Sequence, residues 1–95
     1  MTRGSESPTR LKRSPDALWR EGSFGVVVLG SRASEPVTLA GTGSALWHAF
    51  DCERTVGEAA ALLAAEFGTD TDRVARDVEP VLHTLLEAGA LEASP

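Results

Sequence analysis

Two short stretches of this chain carry residue types that could do chemistry. In Gly41-Thr42-Gly43-Ser44, glycines and hydroxyls stand between an extended run, Pro36 to Ala40, and a helical one. That is the setting in which backbone N–H groups cradle a phosphate. A few residues on, His48 and Cys52 are four apart with Asp51 and Glu53 beside the thiol. On a continuous helix this spacing would bring an imidazole and a thiolate to one face, as a metal site or a reactive pair requires.

Neither reading survives its neighbours. A dinucleotide fingerprint needs a third small residue three places after Gly43, where Leu46 stands, and a parallel strand ending in an acid further on. A P-loop needs a lysine ahead of its Ser or Thr, and none is there. The glycines are therefore expected to turn a corner, with Thr42 or Ser44 capping the helix that follows. His48 and Cys52 lose their shared face because the helical spacing ends near Phe50; there is no second cysteine, and His83 has no neighbouring ligand. They are expected as a surface imidazole and a half-buried thiol. Ser23, Ser31 and Ser34 sit at turn signals, with no Ser/His/Asp context. The sequence predicts a non-enzyme without metal or cofactor.

The elements that would position any site follow from periodicity. Residues 1–10 are polar, charged and aperiodic, which predicts a disordered basic arm, with the ordered domain spanning 11–92. From Ala17 to Ala40 short apolar runs alternate with turn signals, predicting a meander of three antiparallel strands. Val26 to Leu29 is apolar on both faces, as suits the central strand; Pro36, lacking an N–H, suits the start of an edge strand with an unpaired outer rim.

Three helices follow: a short one carrying Leu46, Trp47 and Phe50, then two longer ones. Thr55 and Glu58 have capping-box spacing ahead of Val56, Ala59, Leu63 and Phe67, and Gly68 closes that helix. The third runs from about Asp70 to Glu87 with Thr69 or Thr71 as its cap and Val74, Val78, Val81, Leu82 and Leu85 as its stripe; Pro80, opposite the stripe, predicts a bend. Trp47, on the short helix, and Trp19, on the first strand, are expected as core anchors. The whole is an α+β, winged-helix-like fold: a three-stranded antiparallel sheet followed by three helices.

Charge then separates the uses of such a fold. The net charge is −5, and residues 1–15 carry four basic side chains against one acid, so the body is strongly acidic. The third helix has five acids from Asp70 to Glu87 against Arg73 and Arg76. A DNA-binding regulator needs a basic recognition helix, so nucleic acid is excluded as the expected partner. No membrane-length apolar run, signal peptide or cysteine pair appears, which makes a cytoplasmic setting the expectation. Two uses of the edge strand beside the third helix stay open on these grounds: capture of an extended peptide, or an ordinary sheet edge with no guest. An open edge also allows a strand-paired homodimer, or a structural adaptor in a biosynthetic complex.

Taken in order, "SPDALW" (14–19), "VVVL" (26–29), "TLAGTGSALWHAFD" (38–51), "RTVGEAAALLAAEFG" (54–68) and "DVEPVLHTLLEAGALE" (77–92) resemble the PqqD-like family, the recognition elements of ribosomal peptide natural-product pathways. The resemblance spans about residues 11 to 92. It implies a non-catalytic peptide chaperone that binds the leader segment of a precursor peptide and presents it to a modifying enzyme such as a radical-SAM protein, a cyclase or a protease. It also implies that the leader pairs with Val37, Thr38, Leu39 and Ala40 and lies against Arg73, Asp77, Val81 and Thr84, with Arg73 or Arg76 pairing leader acids. Periodicity leaves open whether that flank of the third helix or the one with Ala75, Glu79, Leu82 and Leu86 faces the groove.

Overall fold

The computed structural model describes residues 9–94. Of the basic arm expected over 1–10, all but Thr9 and Arg10 lies outside the described residues, and Arg10 opens a strand. The elements are β1 (Arg10–Arg13), β2 (Leu18–Gly22), β3 (Gly25–Leu29), β4 (Val37–Leu39), α1 (Thr42–Ala49), β5 (Arg54–Thr55), α2 (Val56–Phe67), α3 (Thr71–Glu87) and β6 (Leu91–Ala93).

The expected meander is β2-β3-β4, all antiparallel. Ser23 and Phe24 form the two-residue turn between paired Gly22 and Gly25, and β3 lies in the middle. Its alternation is clean: Val26 and Val28 are fully buried against the helices, while Val27 and Leu29 look out from the uncovered face. Apolar residues on both sides of β3 therefore mark one packed face and one, half-buried at Val27 and Leu29, that no helix covers among the described residues.

A second three-stranded sheet, β5-β1-β6, was not expected from the sequence. β1 pairs Leu11 with both Arg54 and Ala93, so it ties the start of the chain to the α1–α2 connection and to the last residues. Lys12 stands opposite Glu92, and their charges meet at 3.7 Å. These strands have two to four residues and little alternation, so their pairing comes from tertiary proximity rather than local pattern.

The helices match in place and differ at their ends. α1 starts at Thr42 behind Gly41, whose φ of 57° turns the corner, and no side chain caps it. The expected Thr42 or Ser44 cap is thus corrected, because the glycine's left-handed backbone brings both hydroxyls inside the first turn. α3 likewise has Asp70 at its N-cap with no side-chain bond, in place of Thr69 or Thr71. It runs unbroken through Pro80, which lies on the exposed side, and buries Val74, Val78, Leu82 and Leu85 while Val81 is half-buried. On α2 the buried face is Ala59, Ala60, Leu63 and Ala64; Phe67, expected on it, is half-exposed because the last turn projects past the core.

The capping box of α2 forms as the spacing predicts. The Thr55 hydroxyl accepts from the Glu58 N–H at 3.0 Å, and the Glu58 carboxylate accepts from the Thr55 N–H at 2.9 Å. That backbone donor, followed by the charge of Arg10, holds the Glu58 carboxyl below its ordinary range. A depressed carboxylate stabilises the fold above its unfolded pKa and stops doing so as pH falls through its folded value. Stability measured by denaturant is therefore expected to fall on acidification below the usual glutamate range, less so in Glu58→Gln. Thr55→Ala should cost about 1 kcal/mol at neutral pH.

Candidate functional site

β4 hydrogen-bonds to β3 on one side and to no strand on the other, so its outer rim is open among the described residues. Along it Val37 is half-buried, Thr38 exposed, Leu39 buried and Ala40 exposed. The strand is short because Pro36 precedes it and the Ala40 carbonyl is turned into α1, accepting from the Gly43 N–H at 3.1 Å.

The packing of α1 shows which flank of α3 lies beside this rim. A Cβ placed on buried Gly43 would stand 3.6 Å from Leu39 Cβ and Cδ2 and 4.0 Å from Val81 Cγ1. The first turn of α1 thus stands between β4 and α3, with Leu39 and Val81 both beside Gly43. Arg73, Asp77 and Val81 are spaced by four and share a row on that flank, with Thr84 next to it. Arg73 and Asp77 form an exposed ion pair at 4.0 Å, and the Thr84 hydroxyl donates to the Pro80 carbonyl at 3.1 Å. An exposed pair of this kind contributes little to stability, so both charges are free to exchange partners.

Arg76 is not brought to this row. It lies on the opposite flank with Val56, Ala75, Glu79, Leu82, His83 and Leu86, around a hollow of about 460 Å³. The sequence grouped Arg73 and Arg76 as equivalent cations, but a three-residue step on a helix is enough to put them on different sides of the core stripe.

A cluster that sequence reasoning missed fastens the other end of the sheet. The Arg13 guanidinium lies 4.8 Å from the ring centres of both Trp19 and Trp47 and donates twice to the Trp47 carbonyl, at 2.8 and 3.2 Å. Trp19 meets Trp47 edge-on at 5.9 Å and His48 at 5.8 Å, and His48 Nε2 lies 3.0 Å from a Glu21 carboxylate oxygen. Burial lowers the Arg13 pKa, with Asp51 opposing. Trp47 is the expected core anchor, whereas Trp19 covers it and stays 42% exposed. No sequence signal pointed to Arg13, which stands more than thirty residues from its acceptor.

His48 and Cys52 go separate ways. Cys52 is exposed, not half-buried, and Arg54 donates to its sulfur at 2.8 Å as well as to Asp51 at 3.0 Å and the Ala49 carbonyl at 2.9 Å. The hydrogen bond from Arg54 holds the Asp51 carboxyl low. Among the described residues no three His, Cys, Asp or Glu side chains gather as metal ligands, and no helix is long and apolar enough to cross a membrane.

Comparison with known proteins bears on the same elements. The model of the family described as coenzyme PQQ synthesis protein D (PqqD) matches residues 25–91. The solution NMR structure of the PqqD truncation of Methylobacterium extorquens PqqCD superposes with a TM-score of 0.69 at 20% identity, covering 87% of this chain and 88% of that one. That protein is described as a functional, stand-alone recognition element for ribosomally synthesised and post-translationally modified peptides. No curated protein matches the chain closely in sequence. The family match runs from the first residue of β3 through the whole of α3, the two elements that frame the open strand, and the chain belongs to the PqqD family.

Proposed function

We propose that this chain captures the leader segment of a ribosomally made precursor peptide by adding it as a further strand to β4, beside the Val81 flank of α3, and presents it to a modifying enzyme. The observation that carries the reading is the unpaired rim of β4 next to a helix row of mixed character, within a fold shared with a stand-alone peptide-recognition element. Main-chain pairing supplies affinity without regard to sequence, and the side chains along α3 select. Half-buried Val37 and Val81 offer apolar contact; Arg73, once released from Asp77, offers a partner for a leader acid. The enzyme served, whether a radical-SAM protein, a cyclase or a protease, is set by surfaces beyond the groove.

Recognition is then the whole task. The exposed thiol of Cys52 is held by Arg54, and the imidazole of His48 by Glu21. The acids of α3 disfavour a nucleic-acid partner, because docking that helix on phosphates brings like charges together. Titrating labelled chain with leader peptides encoded beside it tests the proposal. Amide shifts are expected to concentrate at Val37 to Ala40 and around Val81. Absence of binding by every such peptide would sink the reading, and a salt-dependent shift of duplex DNA would replace it with the regulator.

A further inference from the structure

The rim of β4 offers its main-chain groups at few points, and Gly25 reveals which. A Cβ on Gly25, whose φ is 112°, would collide with the Leu39 carbonyl oxygen and stand 3.2 Å from the Ala40 Cα. The Leu39 carbonyl therefore points at β3. In an antiparallel pair the residues alternate between those that exchange both bonds with the neighbour and those that turn both groups away. Leu39 and Val37, opposite Val26 and Val28, thus spend their groups on β3. Thr38, opposite Val27, turns its N–H and its carbonyl to the open side. Continued one residue each way, the alternation leaves an outward carbonyl but no N–H on Pro36. It leaves an outward N–H on Ala40, whose carbonyl already accepts from Gly43.

Resting on the strand-addition reading above, we infer that the guest is read in a single antiparallel register centred on Thr38. One guest residue exchanges both bonds with Thr38. The residue two before it accepts from the Ala40 N–H, and the residue two after it donates to the Pro36 carbonyl. Proline is therefore barred from the centre and from the position two beyond. Opposed residues share a face of the sheet, so the central guest side chain joins exposed Thr38 on the bare face, where Val27 lies. Its two immediate neighbours project with Val37 and Leu39 toward Val81 and meet apolar surface. The ligand class is an extended segment with apolar residues two apart, a solvent-tolerant residue between them, and free N–H groups at the centre and two places on.

Selection of a displayed library of random peptides, a dozen residues long, on the unaltered chain tests this. The selected peptides are expected to share that apolar spacing with proline absent from the two barred positions. Resynthesis with single N-methyl groups should weaken binding by up to about tenfold at the centre and two places beyond, and little at the residue between them. Thr38→Pro removes a donor that β3 does not use, so the chain should fold and bind about tenfold more weakly. If no peptide is selected, the strand-addition reading itself fails. If peptides bind but their N-methyl losses do not alternate, or folded Thr38→Pro binds unchanged, the register is overturned while capture stands. An unfolded Thr38→Pro chain would contradict the outward N–H, and the N-methyl scan decides the register on the unaltered protein.

Discussion

Trp47→Ala is expected to lower stability by about 3–5 kcal/mol, a large share of what a single small domain has. Trp47 is fully buried, ranks among the bulkiest core side chains, and joins α1 to both sheets through Trp19 and Arg13. Alanine would leave a cavity under the hairpin and remove one of the two rings that hold Arg13, although the backbone carbonyl that accepts from Arg13 would stay. Trp47→Phe is expected to cost much less. The indole Nε1 is buried without a hydrogen-bond partner among the described residues, and leaving such a donor unpaired costs about 1–3 kcal/mol. Phenylalanine removes that burden and keeps an aromatic face toward Trp19 and Arg13. Denaturant unfolding of the two variants checks this. Equal destabilisation by both would show that the indole N–H is engaged after all.

Gly25→Ala should disturb the site more than any exposed substitution could. A side chain at a φ of 112° strains the backbone by about 1–3 kcal/mol, and this Cβ would also strike the Leu39 carbonyl. β4 must shift or detach to make room. The expected result is a marked loss of stability with amide shifts concentrated in β3 and β4, and loss of peptide binding in whatever fraction remains folded. Gly43→Ala is the instructive contrast. Gly43 is the more deeply buried of the two, yet its new Cβ would meet Leu39 and Val81 at ordinary contact distances within a helix, where alanine is favoured over glycine. Its stability should hold or rise. A similar loss at both positions would mean that space, not backbone conformation, limits the seam between β4 and α3.

Much of this architecture was legible because it is local. The β2–β3 hairpin is written as two runs about the turn signal Gly22-Ser23, and the α2 start as Thr55 and Glu58 three apart, whose side chains close on each other's backbone. The α3 stripe is legible because Val74, Val78, Leu82 and Leu85 repeat at helical spacing. The open rim was foreshadowed by Pro36. The small sheet was not legible, since Arg10–Arg13 holds a single apolar residue and its partners stand more than forty residues away. Nor was the Arg13 stack, whose parts come from β1, β2 and α1.

The order of the meander strands and the helices, their apolar faces and the acid excess of α3 are properties of short windows of chain, and local propensity and periodicity suffice to state them. The sides of those elements that meet are not. Periodicity says which stripe of α3 goes inward but is silent about what stands left and right of it. Only the docking of α1, with Gly43 lying against both Leu39 and Val81, put the Arg73 row beside β4 and sent Arg76 to the far side. The direction of the Thr38 amide was likewise decided by strand register, because a step of one residue reverses every main-chain group along the rim.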